Sequence, residues 1–180
     1  AADASVRLVE EVAVMLGAVP IVMEADAHDR AVALVSHVPQ VLSTLAAARL
    51  VEELGRSPAP NTALLLDAAA VACARPLREQ LQGYADRLVL TPHAGEMAAL
   101  SGRSEEEVTA DPAPIAIEIA ARFGAVVALK GPATVIASPC GEVLHYRSDC
   151  TGLATAGSGD VLAGMIGGLL ARGADPLLAT

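Results

Sequence analysis

Short aliphatic runs that alternate with helical segments constrain the fold of this 180-residue chain more than any other feature. The runs at 62–67, 87–91 and 125–130 have the length of buried strands, and each ends in a polar residue. Helical spacing of apolar residues lies between them, at 71–82 and 114–123. Strands that are separated by helices of this length predict the α/β class with a mostly parallel sheet.

Further segments extend this alternation. The runs 134–138 and 142–146 flank a Pro-Cys-Gly sequence, which predicts an antiparallel hairpin after the last parallel strand. Ser-Glu-Glu-Glu at 104–107 has the form of a capping box and predicts the start of a short helix. Nearer the beginning, 19–24 is typical of a strand, whereas 31–38 fits either a strand or a helix.

Composition limits the classes of partner that the protein can have. Hydrophobic residues make up 53% of the chain and aromatic residues only 2%, so Ala, Val, Leu and Ile must build the core. The net charge of −9 argues against nucleic acid as a partner, because no basic surface is available to release its counterions. The sequence also contains no apolar segment that suits a bilayer helix or a secretory signal, so we expect no membrane association.

Cysteine and histidine positions argue against a disulfide framework and against a metal centre. The three cysteines, Cys73, Cys140 and Cys150, are an odd number and predict reduced thiols in a cytoplasmic protein. Neither the cysteines nor the four histidines follow CxxC or HxxxH spacing, so we predict no metal held by the protein itself. The chain begins without Met and stops where a new helix begins, so we expect a single domain over 1–180 that is incomplete at both ends.

Polar residues follow the strands at the points where the strands end. Asp67 follows the first strand, Thr-Pro-His-Ala-Gly-Glu at 91–96 continues the second, and Lys-Gly-Pro-Ala-Thr at 130–134 continues the third. Ligands of open parallel sheets bind beyond the carboxyl ends of the strands, so we expect these tips to meet in one active site. The glycine-rich turn before the last helix, within 151–173, should face the same edge.

That turn combines an anion site with a carboxylate. Gly157 and Gly159 permit close approach of the backbone, Ser158 adds a donor, and the free N–H groups of a helix start attract phosphate. Asp160 opposes an anion, so phosphate binding alone does not explain it. A carboxylate there suits a base that accepts the proton of a hydroxyl attacking phosphorus. The alternative is that Asp160 only caps the helix, a contribution of about 1 kcal/mol.

The other strand tips each have a functional and a structural interpretation. Lys130 and Thr134 could set a cation and a hydroxyl against a nucleotide, or Lys130 could be a solvated strand end. His93 could hydrogen-bond a substrate while Glu96 organises a cation or a water molecule, or they could be a turn residue and a first-turn helix acid. Asp67 could serve the same site or cap the helix that follows it.

Three stretches occur between 90 and 173 in the order LTPHAGEMAALSG, VVALKGPATVIASPCGEV and GLATAGSGDVLAGMIGGLLARG. In this order they resemble the ADP- or ATP-dependent NAD(P)H-hydrate dehydratase family, and the similarity extends over about 64–173. The resemblance implies a three-layer ribokinase-like fold and repair of hydrated NADH or NADPH. Such an enzyme phosphorylates the ring hydroxyl of the hydrate from ADP or ATP, with Mg²⁺ as a further cofactor, and then eliminates phosphate.

The resemblance also assigns roles to individual residues. Asp160 would be the base that activates the hydroxyl, and Asp160 and His93 would contact the hydrate. Gly157, Ser158 and Gly159 would form the anion hole for the moving phosphoryl group. The nucleotide would be bound by Lys130, Gly131, Pro132, Ala133, Thr134 and Gly159.

The chain departs from the family pattern at three places. Residues 149–151 read Asp-Cys-Thr instead of Gly-Asn-Pro, residues 67–69 read Asp-Ala-Ala instead of Asp-Ala-Asp, and a Gly-Pro-Gly turn is missing near 35–41. Two alternatives stay open: a small-molecule kinase of the same superfold that releases its phosphorylated product, and an inactive nucleotide-binding module. Members of this superfold often oligomerise, so we expect a homo-oligomer.

Overall fold

The computed structural model describes residues 24–32, 61–147 and 157–180, with single residues at 7, 11, 14, 15, 45, 49, 52, 53, 56 and 155. The chain divides into two compact units, 1–40 and 41–180. The first contains helix α1, Ala25–Val32. The segment 31–38 is therefore helical at its first two residues, and its remainder lies outside the described residues, as does 19–24 apart from Glu24.

The described part of the second unit is an α/β structure, which confirms the predicted class. Its strands are β1 Leu64–Leu66, β2 Leu88–Leu90, β3 Ala125–Leu129, β4 Ala133–Ala137 and β5 Val143–Arg147. Its helices are α2 Ala69–Ala74, α3 Arg78–Leu81, α4 Ala94–Ser101, α5 Glu105–Ala110, α6 Pro112–Phe123, α7 Ser158–Ala171 and α8 Pro176–Ala179, and a 3₁₀ turn spans Gln82–Tyr84.

The five strands form one sheet in the order β1-β2-β3-β4-β5. The first three run parallel, with Leu65, Val89 and Val126 in register across them. Strands β4 and β5 are antiparallel to their neighbours, which confirms the predicted hairpin. All five residues of β3 are buried, as expected for a central strand that reads as an unbroken aliphatic run.

Alternate residues of the strands face two separate cores, so the described elements form three layers. Leu66 and Leu90 belong to the core that is covered by α2, α4 and α6. Val89 and Val126 face the opposite side, where they pack against Ile166 of α7 and against α8. Because one face of the sheet carries α4 and the other carries α7, both helices can bring a terminus to the same edge of the sheet.

Helix boundaries follow the local residue chemistry with one exception. The capping box at 104–107 is confirmed, since Ser104 Oγ accepts the Glu107 N–H and Glu107 Oε2 accepts the Ser104 N–H. Helix α6 ends at Phe123, the last residue of the predicted helix, and Gly124 follows it with φ +59°. The single helix predicted at 71–82 is wrong: the segment is divided into α2 and α3, and Pro76 between them has no N–H to donate.

Within the part of the chain that the structure describes, no helix has both the length and the apolar character that crossing a bilayer requires.

Candidate active site

Three polar residues meet at the carboxyl ends of β1, β2 and β3. Asp67 follows β1 directly, Thr91 follows β2 and Lys130 follows β3. Lys130 Nζ donates to Asp67 Oδ1 at 2.8 Å, and Thr91 Oγ1 donates to the same oxygen at 2.6 Å. Only 23% of the Lys130 side chain and 15% of the Asp67 side chain are exposed. The parallel strands therefore bring these tips together, as their spacing along the chain predicted.

The surroundings of Asp67 favour its ionised form. Burial raises the pKa of Asp67, but hydrogen bonds from Lys130 and Thr91, the charge of Lys130 and the Ala68 N–H together lower it by more. The pKa of this carboxyl therefore lies below that of an ordinary aspartate. The N-cap position of α2 is Ala68, so Asp67 does not act as that cap, and its carboxylate pairs with Lys130 instead.

His93 and Glu96 form a capping box at the start of α4. His93 Nδ1 accepts the N–H groups of Gly95 at 3.0 Å and of Glu96 at 3.3 Å, while Glu96 Oε2 accepts the His93 N–H at 2.8 Å. Because Nδ1 is an acceptor, the neutral imidazole carries its hydrogen on Nε2. The His93 side chain is 60% exposed and that of Glu96 only 16%. His93 Nε2 lies 3.4 Å from Glu96 Oε1, so its hydrogen already has a neighbouring acceptor, and the exposed imidazole can offer the same hydrogen to a ligand.

Gly95 shows how closely this segment is packed. A Cβ at this position would lie 3.1 Å from His93 Cε1 and 3.3 Å from Glu105 Oε2. Both distances are shorter than ordinary carbon contacts, so a side chain here would push the imidazole or the carboxylate away. The glycine in Thr-Pro-His-Ala-Gly-Glu is therefore favoured by close packing against His93, and Glu105 of α5 lies beside it.

The first turn of α7 lies beside Lys130. A Cβ on Gly159 would lie 3.8 Å from Lys130 Nζ, so the ammonium group faces this turn. Gly157 precedes the helix with φ +85°, a conformation that favours glycine, and it has no side chain with which to cap the turn. The Ser158 N–H donates to the Thr155 C=O at 3.2 Å and is thus engaged. By helix geometry, the amides of Gly159 and Asp160 have no acceptor within the helix.

Asp160 is the third residue of α7, and its side chain is exposed. It follows Gly159 directly and therefore belongs to the same helical turn that faces Lys130. The start of a helix stabilises a carboxylate whether that group acts as a base or only complements the helix dipole. Its accessibility is what a group that contacts a substrate requires.

The remaining residues predicted to bind nucleotide form the turn from β3 to β4. Gly131 and Pro132 are exposed, whereas Ala133 and Thr134 begin β4 and are half-buried. Thr134 is paired with Tyr146 of β5, so the strand hydrogen bonds hold its backbone. The turn therefore begins at Lys130, within the site, and leads away from it along β4.

Two further residues of this edge were not singled out by sequence reasoning. Thr91 was part of a recognised strand tip, but its hydrogen bond to Asp67 depends on β1 and β2 being adjacent. Glu105 is the first helical residue of the predicted capping box, a pattern that does not indicate the approach of its carboxylate to Gly95. A threonine at the tip of one strand and an aspartate at the tip of its neighbour would have been the signal for the first of these contacts.

Comparison with known proteins relates the second unit to one enzyme family. A family model of carbohydrate-kinase type, described as NAD(P)H-hydrate dehydratase, matches residues 41–180. An ADP-dependent (S)-NAD(P)H-hydrate dehydratase from Xanthomonas campestris is 50% identical over 91 residues, which is 51% of this chain and 32% of that protein. The match thus spans about a third of the length of that relative.

Solved structures resemble the fold. An ADP/ATP-dependent NAD(P)H-hydrate dehydratase from Bacillus subtilis, co-crystallised with ATP and Mg²⁺ and soaked with CoA, is 34% identical with a TM-score of 0.53, over 65% of this chain and 42% of that chain. A ribokinase-like superfamily protein from Enterococcus faecalis is 27% identical with a TM-score of 0.58, over 73% of this chain and 45% of that chain. These likenesses confirm the predicted ribokinase-like fold.

Proposed function

Because the chain belongs to the NAD(P)H-hydrate dehydratase family, as its three ordered stretches predicted, we propose that it restores hydrated NADH or NADPH with ADP or ATP as the phosphoryl donor. One observation carries the proposal at the level of chemistry. Lys130 Nζ lies 3.8 Å from the Cβ position of Gly159, beside the first turn of α7. A side-chain cation next to a helix start attracts an anion of the size of a phosphate group.

The first step in this proposal is phosphoryl transfer to the hydrate. The oxygen of the ring hydroxyl attacks the terminal phosphorus while its proton passes to the Asp160 carboxylate. The bond from phosphorus to the bridging oxygen breaks, so that ADP leaves as AMP, or ATP as ADP. Within the proposed anion hole of residues 157–159, the Ser158 N–H already donates to the Thr155 C=O. The Gly159 N–H, the Ser158 hydroxyl and the Lys130 ammonium are therefore the donors proposed to stabilise the charge on the transferring group.

The second step removes phosphate from the phosphorylated ring. The C–O bond breaks and its electron pair leaves with the phosphate. The electron pair of a C–H bond on the neighbouring carbon becomes the restored ring double bond, and the proton is lost to solvent. His93 can donate a hydrogen bond from Nε2 to the hydrate, so that His93 and Asp160 are the proposed contacts of the reacting molecule.

The nucleotide is assigned to Lys130, Gly159 and the turn at 131–134. Mg²⁺ is proposed to bind together with the nucleotide, because the phosphate oxygens of the nucleotide are the hard ligands that the ion prefers. Among the described residues, no three His, Cys, Asp or Glu side chains come close enough to hold a metal ion by themselves. When bound with the nucleotide, Mg²⁺ would neutralise charge on the phosphates during transfer.

The proposal is tested by recovery of the reduced nicotinamide absorbance from NADH hydrate and NADPH hydrate, each with ADP and with ATP. The Asp160→Asn variant should lose turnover by about 10²–10⁴, the span of general acid–base catalysis, because the amide cannot accept the hydroxyl proton. Its ADP affinity, measured by calorimetry, should stay within a few fold of that of the parent protein. Unchanged turnover in this variant would remove Asp160 from the chemistry.

The same assay separates the two alternative functions by their products. A kinase of this superfold would consume nucleotide and accumulate a stable phosphoester without restoring the nicotinamide absorbance. A nucleotide-binding module would bind ADP or ATP and turn over neither hydrate. The sequence feature that favours an inactive nucleotide-binding module is the missing Gly-Pro-Gly turn near 35–41.

We also propose that 1–180 acts as one ribokinase-like domain in a cytoplasmic homo-oligomer. Exposed apolar side chains on one helix support the assembly: Val161 is 64%, Met165 63% and Leu169 44% exposed along α7. Side chains at this spacing lie on one face of a helix and suit contact with a second subunit. Light scattering that gives the mass of a single chain would refute the homo-oligomer.

A further inference from the structure

The pairing of Lys130 with Asp67 joins two strands that are not neighbours. β2 lies between β1 and β3, and adjacent strands are about 4.8 Å apart, so the two strands are separated by roughly 10 Å. The long side chain of Lys130 crosses the end of β2 and reaches Asp67 Oδ1 at 2.8 Å. The side chain is therefore held in one extended direction along the edge of the sheet.

The acceptor is itself held in place. Thr91, which follows the intervening strand, is buried and donates from Oγ1 to Asp67 Oδ1 at 2.6 Å, while the Leu66 C=O is a more distant acceptor at 3.3 Å. Its backbone N–H donates to the Leu66 C=O at 3.2 Å, so its position is tied to that of β1. A hydroxyl that is buried and hydrogen-bonded in this way restricts the carboxylate to one orientation.

The backbone of Lys130 is fixed as well. The Lys130 N–H donates to the Pro92 C=O at 2.8 Å, and Lys130 forms a parallel bridge with His93. The backbone and the ammonium group of Lys130 are thus both anchored. Between these anchors, the ammonium comes to lie next to the first turn of α7, 3.8 Å from the Cβ position of Gly159.

We propose that Asp67, oriented by Thr91, is a positioning residue that acts through Lys130. It holds the ammonium group in front of the first turn of α7, so that the two together receive a phosphate of the nucleotide. This inference rests on the proposed function, which it deepens by adding Asp67 and Thr91 to the nucleotide site. A free lysine side chain has many rotamers, and ordering it during folding removes that cost from the binding step.

The negative charge of Asp67 repels the phosphate and so opposes the gain from an ordered Lys130 side chain. Two substitutions of Asp67 separate the effect of charge from the effect of ordering. A carboxylate near a phosphate repels it, so both Asp67→Asn and Asp67→Ala relieve that repulsion equally. The asparagine still offers an oxygen to the Lys130 ammonium, whereas the alanine offers none. Any difference in ADP affinity between these two variants therefore reports on the anchoring of the lysine and not on charge.

The test is calorimetric titration of ADP into the two Asp67 variants at the same temperature and salt concentration. We expect Asp67→Ala to bind ADP more weakly than Asp67→Asn by about two- to tenfold, the range for ordering one rotamer-rich side chain. The difference should vanish when Lys130→Met is added to both variants, because Asp67 then has no ammonium group to position. Equal affinities of the two single variants, or a difference that persists without Lys130, would overturn the inference.

A second pair of variants, at Thr91, tests the same inference if Asp67→Ala does not fold. Thr91→Val has nearly the same shape as threonine but lacks the hydroxyl, and Thr91→Ser retains it. ADP should bind more weakly to Thr91→Val than to Thr91→Ser, and equal binding would contradict the role given to Thr91. ADP titration is independent of hydrate turnover, so a protein that binds ADP with the expected differences but restores no hydrate refutes the dehydratase function alone.

Discussion

Substitution of Gly159 by alanine should raise the stability of the protein and weaken its binding of nucleotide. The residue is the second of helix α7, and its Cβ would lie in ordinary van der Waals contact, 3.8 Å from Lys130 Nζ. Alanine in a helix is favoured over glycine by about 0.5–1 kcal/mol. For a chain of this length that corresponds to a rise in Tm of roughly 1–4 °C.

The effect on binding has the opposite sign because the methyl group occupies space that the phosphate needs. An oxygen that accepts from an ammonium group lies about 2.7–2.9 Å from the nitrogen. A methyl carbon only 3.8 Å from Lys130 Nζ therefore competes with such an oxygen. We expect ADP to bind about tenfold more weakly, which corresponds to roughly 1.4 kcal/mol.

Gly168→Ala is the matched control for this variant. Gly168 lies in the same helix, and a Cβ there would meet nothing within 4 Å. Thermal melts should show a similar gain in Tm for both variants, and ADP calorimetry should show the loss for Gly159→Ala alone. If the two variants bind ADP equally well, the phosphate does not occupy the space between Lys130 and α7.

Two further predictions concern Asp67 and His93. The pKa of Asp67 is lower in the folded protein than in the unfolded chain. The ionised carboxylate therefore stabilises the fold at neutral pH, and this contribution is lost as the pH falls through the folded pKa. In urea unfolding, the difference in unfolding free energy between the parent protein and Asp67→Asn should shrink between neutral pH and about pH 3. If the difference in unfolding free energy stays constant across that range, ionisation of Asp67 does not stabilise the fold. His93→Asn and His93→Asp both retain an N-cap acceptor for α4, but only asparagine retains an N–H donor. The KM for the hydrate should rise more in His93→Asp than in His93→Asn while their Tm values stay similar, and equal KM values would mean that the donor is not used.

The strands and the edge at which their tips meet could be predicted because short-range information determines them. Aliphatic runs of four to six residues, each followed by a polar residue, identify β1, β2 and β3 without knowledge of their neighbours. Gly124 and the Ser104 capping box likewise act through residues close in sequence. The division of 71–82 does not follow from apolar spacing, because that spacing continues through Pro76, whereas the missing N–H of Pro76 interrupts the helix.

The contacts within the site could not be predicted, because they depend on strand order. The sequence separates Asp67 from Lys130 by 63 positions, and only the order β1-β2-β3 brings their side chains across the end of β2. The same order decides that Thr91, and not a residue of another strand, donates to the shared oxygen. A first-turn helix acid was one of two interpretations that the sequence allowed for Glu96, and the hydrogen bond that Glu96 Oε2 accepts from the His93 N–H shows that it stabilises the helix start.

Each of the three layers of the fold contributes different residues to the candidate site. The sheet carries Asp67 and Lys130, the helix on one face brings Gly159 to the ammonium group, and the helix on the other face begins at His93. Ile166, which is buried against the sheet two turns after Gly159, therefore helps to set the distance between α7 and Lys130. The nucleotide half of the proposed site depends on packing between α7 and the sheet, whereas the hydrate contact at His93 depends on the capping box of α4. Asp160, the other proposed hydrate contact, is also on α7, so disturbance of α7 should impair both ligands, whereas disturbance of α4 should impair the hydrate more than the nucleotide.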